Sequence, residues 1–237
     1  MRRAIGLQFR EVWEFGGRMS TEIKAALKPQ LLILAGPNGS GKTTFYQRLA
    51  AQDSAFACLP FVNADIIAQQ LAAERGYANV NELPPTLQAL VDIRAGKQAI
   101  TQRQALLAAA KSFITETTAS SRLLLKLIAT AQEQGYEVAL KFVLLRSPEH
   151  NIARIKRRVA QGGHYVPDAV VRRRYDKAVA LLPALLAAAD EGELWDNEAE
   201  EQEARLVLRH QGTVVETFAE RSTWLEASKL QELAQAC

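Results

Sequence analysis

Eight consecutive residues carry the plainest chemistry in this chain: Gly36-Pro37-Asn38-Gly39-Ser40-Gly41-Lys42-Thr43 follows the spacing G-x-x-x-x-G-K-[ST] in full. Glycines at this spacing let successive backbone N–H groups converge on phosphate oxygens, and a following helix would add the partial positive charge of its N-terminus. Residues Gly36 to Thr44 would form the cradle, with Lys42 reaching the terminal phosphates and the Thr43 hydroxyl binding Mg²⁺. The chemistry implied is binding of ATP or GTP with magnesium. A second concentration of charge runs from Arg154 to Lys177, where eight basic residues stand against Asp168 and Asp176, a net +6. The whole chain is only +3, so the rest carries −3. A basic stretch on a mildly acidic body points to a localised anionic ligand, and nucleic acid is not the expected partner.

To aim its backbone at phosphate, the glycine loop must join a buried strand to a helix. Leu31-Leu32-Ile33-Leu34-Ala35 is an unbroken apolar run, as in a strand covered on both faces, and the loop follows at once. A second run, Leu59 to Val62, leads through Asn63-Ala64-Asp65 to a helix predicted over 66–75, and a loop rich in Asn, Gly and Pro spans 76–85. The spacing of Leu87, Leu90, Val91, Ile100, Leu106 and Leu107 predicts one long or broken helix over 86–110, with Gly96 as its weak point. A short strand over 112–115 ends at Glu116, a helix over 123–134 stops at Gly135, and 138–145 is the clearest strand of all. Ser147 and Pro148 make a natural N-cap and first helical residue. The basic segment then passes a Gly162-Gly163 break to a second helix near Pro167, which Pro183 is expected to kink or restart. Strands over 205–208 and 213–215 and a helix from Trp224 close the chain. This alternation predicts an α/β fold of the P-loop NTPase kind, a mostly parallel sheet covered by helices on both faces.

The 237 residues suit one large domain. With 48% hydrophobic and 23% charged residues and no apolar run near the ~20 needed to span a bilayer, neither disorder nor a membrane location is expected. Cys58 and Cys237 are too few and too distant for a disulfide framework or zinc site. Glu11 and Glu14 interrupt the stretch a signal peptide would need, so a reducing, cytoplasmic location is expected. Three absences narrow the class: no N-K-x-D of GTPases, no L-S-G-G-Q of ABC transporters, and no apolar strand ending in Asp-Glu. The small-molecule kinase branch remains, in which a basic lid closes over the transferring phosphate. Residues 31–237 would form the kinase domain, with a lid at approximately 154–176 and residues 1–30 as an N-terminal extension.

Several stretches together resemble the zeta toxin family and its relatives: LILAGPNGSGKTTF from Leu32, FVNADII from Phe61, RAGK from Arg94, SFITETTAS from Ser112, RRVAQGGHYVPDAVVRRR from Arg157, and Trp195-Asp196-Asn197. The combination of the phosphate loop with N-A-D, E-T-T and G-G-H-x-V-P is far more specific than the loop alone. Zeta toxins are kinases that phosphorylate UDP-N-acetylglucosamine on the 3′-hydroxyl of the amino sugar, and an antitoxin restrains them by blocking the nucleotide site. The resemblance implies ATP with Mg²⁺, a sugar-nucleotide acceptor and a separate antitoxin chain. It also implies that Asp65 accepts the proton of the acceptor hydroxyl and that Glu116 orients substrate or the water shell of the metal. Arg158, with Arg154 and Arg157 beside it, would stabilise charge on the transferring phosphoryl group. Of Arg172, Arg173 and Arg174, at least one should point away.

Other readings of these residues stand beside that one. Asp65 could instead cap the helix after it, Glu116 could be a solvated loop acid, and His164 could hold the lid turn rather than touch phosphate. His150 and His210 belong to no motif, and Trp13, Trp195 and Trp224 are expected to pack. The chain could phosphorylate another hydroxyl, on an antibiotic, a metabolite or a polynucleotide end, or bind ATP only as a regulatory signal.

Overall fold

A computed structural model describes residues 28–199, 203–222 and 224–236. Readings that concern residues 1–27, Trp13 and Cys237 lie outside these. Strand β1 (Gln30–Ala35) forms the middle of a seven-stranded sheet because nothing in Leu31 to Ala35 needs water: all five are fully buried. The order is β2-β3-β1-β4-β5-β6-β7, with β2 at Phe61–Val62, β3 at Phe113–Thr117, β4 at Glu137–Leu144, β5 at Glu191–Asp196, β6 at Arg205–Gln211 and β7 at Val214–Thr217. The first five strands are parallel, and β6 and β7 add antiparallel to the far edge. Helices cover both faces. Leu32 and Leu34 pack with Phe45 and Leu49 of α1 (Lys42–Gln52) and Phe56 of α2 (Ser54–Ala57). Leu31 and Ile33 face the larger core built with α3 (Ala64–Ala73), α4 (Pro85–Ala108), α5 (Leu123–Glu133), α7 (Asp168–Ala188) and α8 (Ala227–Ala236). The predicted α/β architecture is thus observed, and among the described residues no helix is long and apolar enough to cross a membrane.

Helix α6 (Pro148–Ala160) and the start of α7 make the basic lid, which has its own small core of Ile152, Ile155, Val166 and Val171. Two expected weak points do not break their helices. Helix α4 runs unbroken through Gly96, and α7 runs through Pro183, flanked by the buried Leu182, Leu185 and Leu186, whose packing outweighs one lost backbone hydrogen bond. The closing helix starts at Ala227, not at Trp224, whose indole N–H instead donates to Asp196 (2.9 Å).

Strand β5 was not expected from the residue pattern. Its acids hide it: Glu193 is 1% exposed, yet lies opposite Lys141 of β4 and Arg209 of β6. It pairs with the Lys141 ammonium and accepts from Arg209 Nη2 (2.8 Å) and Trp195 Nε1 (2.9 Å). Burial alone would raise the Glu193 pKa, but Lys141 and Arg209 hold it below the usual carboxylate value. A strand that reads as polar is buried because its charge is neutralised from both neighbours.

Candidate active site

The parallel register brings the carboxyl ends of β1, β2, β3 and β5 to one edge of the sheet, where open α/β sheets build their sites. The phosphate loop leaves β1 there. Gly36 has φ +140°, and a Cβ on it would lie 2.1 Å from the Val143 carbonyl oxygen of β4. Gly41 has φ +92°, and its Cβ would lie 2.3 Å from Asn197 Nδ2, which donates to the Ser40 carbonyl (2.7 Å). No other residue fits either place without moving a neighbour. Lys42 opens α1 with its side chain 5% exposed, donating to the Pro37 carbonyl (2.9 Å) and lying 3.7 Å from Glu116 Oε1. Burial lowers its pKa from 10.5, while Glu116 and Asp65 pull it back up. The loop fits a polyphosphate: this ammonium can exchange a loop carbonyl for phosphate oxygen, and Ser40 Oγ is buried with no partner among the described residues.

Glu116, inside β3 rather than at its tip, is the hub of the site and not a solvated loop acid. Its Oε2 accepts from the Thr43 hydroxyl (3.0 Å) and Asn63 Nδ2 (2.8 Å). Asn63 also settles the capping question. Its Oδ1 accepts the backbone N–H of Asp65 (2.8 Å) and Ile66 (3.4 Å), so Asn63 is the N-cap of α3 and Asp65 lies in the first turn. The Asp65 carboxylate makes no hydrogen bond among the described residues and is exposed toward the site. No cluster of three or more His, Cys, Asp or Glu suited to a metal occurs among the described residues. Thr43 and Glu116 fit a hard cation that takes most of its ligands from phosphate and water.

The lid arginines divide by direction. Arg154 donates to the carbonyls of Asn197 (2.7 Å) and Glu198 (3.0 Å), tying α6 to the loop after β5. Arg158 donates to the backbone carbonyl of His164 (2.8 Å), holding the lid turn, while the His164 Nδ1 is buried with no partner among the described residues. Arg174 turns inward to Asn38 Oδ1 (3.0 Å), whereas Arg172 pairs outward with Glu149 (3.3 Å) and Arg173 is exposed. The loop between α3 and α4 grips the lid turn: Asn79 donates to the Gly162 carbonyl, Asn81 Nδ2 donates to Gly163 (2.6 Å), and Asn81 Oδ1 accepts from the Tyr165 N–H (2.9 Å). His150 is an exposed partner of Glu198, His210 is buried, and Trp195 packs edge-on against Phe45 of α1.

Two cavities meet beneath this lid. The larger, of ≈ 1060 Å³, runs along the loop and α1 and takes in Thr43, Thr44, Arg154, Arg157 and Asn197. The smaller, of ≈ 440 Å³, lies against α4 and takes in Asp92, Arg103, Thr118 and Arg174. Gly39, Lys42, Asn63, Asp65, Glu116, Arg158 and His164 line both. Arg157 borders the larger cavity alone, so Arg158 and not Arg157 is at the junction.

Residues 31–181, which hold the loop, both acids and the lid, match the AAA domain family. The chain belongs to the AAA domain family. An uncharacterized protein of Haemophilus influenzae (strain ATCC 51907 / DSM 11121 / KW20 / Rd) is 32% identical over 149 residues, covering 63% of this chain and 94% of that protein. Among solved structures, AvrRxo1-ORF1:-ORF2 with ATP is similar at TM-score 0.67 and 17% identity, over 90% of this chain and 65% of that one. A structure from the PezAT chromosomal toxin-antitoxin system of Streptococcus pneumoniae is similar at TM-score 0.55 and 16% identity, over 98% and 89% of the two chains. At those identities the likeness is one of fold. The family that matches is the AAA domain family rather than the zeta toxins, so the zeta-type assignments are a matter of proposal. Within this AAA domain the residue pattern left Asp92, Arg103, Asn79 and Asn81 unassigned. The signal available for the first two was their spacing: eleven residues on one helix return to the same face.

Proposed function

We propose that this AAA-domain chain is an ATP-dependent phosphotransferase of the zeta toxin type, moving the γ-phosphoryl group of ATP to a hydroxyl of a sugar nucleotide such as UDP-N-acetylglucosamine. The observation that carries the reading is the junction: the cavity along the phosphate loop and a second cavity share Asp65, Glu116, Lys42 and Arg158 at one point. A nucleotide-binding signal module needs the first cavity only. ATP as donor is supported by the solved relative that carries ATP, and the toxin reading by the relative from a toxin-antitoxin system.

In this reading the backbone of Gly36 to Thr44 grips the triphosphate, and Lys42 gives up its bond to Pro37 for phosphate oxygen. Thr43, oriented by Glu116, and Glu116 through water would hold Mg²⁺, which when bound neutralises phosphate charge. Asp65, free of capping duty, accepts the proton of the acceptor hydroxyl as that oxygen attacks. Lys42 and Arg158 balance charge spread over the transferred group, where most of the stabilisation in phosphoryl transfer arises. Arg154 and Arg157 line the donor cavity along the lid. The kinase domain is residues 31–237, the lid about 154–176, and the inhibitor a separate antitoxin chain.

The test is incubation of purified protein with Mg-ATP and a panel of UDP-sugars, read by mass spectrometry. A product heavier by one phosphoryl group on the sugar is the expected result. Transfer to other hydroxyl compounds alone would replace the sugar nucleotide by another acceptor, and ATP binding without transfer to any compound would reduce the chain to a nucleotide-binding module.

A further inference from the structure

Helix α4 presents Asp92, Ala95, Gly96, Ala99 and Arg103 to the smaller cavity. These positions fall on one face of the helix, with charge at its two ends and small residues between. A Cβ on Gly96 would meet nothing within 4 Å, so the middle of this floor is open space. Asp92 sits at the transfer end, within electrostatic reach of Asp65, His164 and Arg174; burial raises its pKa first, Asp65 adds to that, and the two basic groups oppose it. Arg103 stands eleven residues further along, roughly 16 Å by helical rise. The two cannot neutralise each other.

Arg103 is half-buried, and its Nε donates to the Ala99 carbonyl of its own helix (3.2 Å). Among the described residues it pairs with no carboxylate. The cavity's third acid, Glu116, is already engaged by Lys42, Thr43 and Asn63. Burial lowers the Arg103 pKa with no anion to offset it. A guanidinium held in a cavity wall with both Nη groups unbonded among the described residues and no counter-charge suits a planar or tetrahedral oxyanion.

Building on the phosphotransferase reading, we infer that Arg103 is the specificity residue of the acceptor cavity and binds a phosphate or diphosphate group of the acceptor. The cavity therefore has a direction: the hydroxyl that reacts faces Asp65, and the anionic group lies toward Arg103. Acceptors with a hydroxyl and a phosphate at opposite ends fit it; neutral or cationic hydroxyl compounds leave Arg103 without its partner.

Matched acceptors test this: N-acetylglucosamine, its 1-phosphate and UDP-N-acetylglucosamine, with uridine and UMP as a second set, each with Mg-ATP. The expected result is transfer to phosphorylated members only. Arg103→Gln should raise the acceptor KM about tenfold or more, with kcat nearly retained and the ATP Kd from calorimetry unchanged. Arg103→Lys, which keeps the charge, should fall between, and melting temperatures of both variants report whether they fold. A neutral compound used with the same kcat/KM as its phosphate ester, or an unaltered KM in Arg103→Gln, overturns the assignment while leaving the kinase reading intact. No transfer to any member, with ATP bound, removes the phosphotransferase reading and the assignment with it.

Discussion

The two cavities that meet at Lys42 and Asp65 differ in how much of their lining comes from one run of chain. The larger one takes eight residues from one run, Gly39 to Arg48 of the phosphate loop and the first turns of α1, where glycine conformations set the direction of the backbone, and the rest from the lid, the α3 segment, Glu116 and the loop after β5. The smaller one takes only Asn38, Gly39 and Lys42 from the phosphate loop and α1, and draws its other side chains from the α3 segment, α4, the end of β3 and the lid, as far along the chain as Arg174. A site for a donor common to many enzymes can be made of backbone. Selection of one acceptor needs side chains, and those must be assembled from distant elements.

The sharpest way to break this contrast is to remove the cation that serves both sides. Lys42→Ala should abolish ATP binding and transfer together while the melting temperature holds, since its ammonium points into the loop and not the core; calorimetry and turnover check it. Because the protonated form binds phosphate and burial lowers its pKa, wild-type ATP affinity should decline with rising pH below the range of an ordinary lysine at 10.5. The folding contribution has the opposite sign. Between the lowered folded pKa and the unfolded one, the unfolded chain binds more protons, so this group favours folding more as pH rises.

Asp65→Asn should separate the acceptor side from the donor side. With the cap supplied by Asn63, neither stability nor the ATP Kd should move, while kcat falls by about 10² to 10⁴. Turnover within threefold of wild type would pass the base role to Glu116. Next in size, Arg158→Ala should lower kcat by about 10²-fold, as expected of a cation acting on charge present at transfer. Equal kcat would pass that role to Arg154 or Arg157.

The smallest effects sharpen the comparison within the lid. Arg174→Ala, which cuts the bond to Asn38, should reduce kcat/KM by about tenfold. Arg172→Ala removes only a solvent-exposed pair with Glu149, and turnover should stay within about twofold. Equal losses in the two variants would mean that the basic segment acts through its overall field rather than through inward-facing groups.

Much of the fold was readable because it follows local rules. The apolar run of β1, the turn at Gly135, the Ser147-Pro148 start of α6 and the double-glycine break in the lid all lie where their residue types require. Strand β5 was not readable, since its periodicity is masked by Glu191 and Glu193, and Glu193 is buried only because β4 and β6 supply Lys141 and Arg209. At Gly96 the residue pattern left a long or a broken helix open and the long one forms, and at Pro183 the helix does not restart, because intrinsic preference of about 1 to 3 kcal/mol can yield to the burial of neighbours such as Leu182, Leu185 and Leu186.

By itself the sequence determined the phosphate loop, the parallel α/β class and the presence of a basic lid, since each depends on residues adjacent in the chain or on simple periodicity. Only the tertiary structure decided that Asn63 and not Asp65 caps α3, that Glu116 joins Thr43 and Asn63, that Arg174 faces in while Arg172 faces out, and that Asp92 and Arg103 line one cavity. Glu116 lies 73 residues from Thr43 and 53 from Asn63. Strand order and crossover, which local sequence does not encode, bring such groups together, and a side chain's direction depends on what those elements pack against.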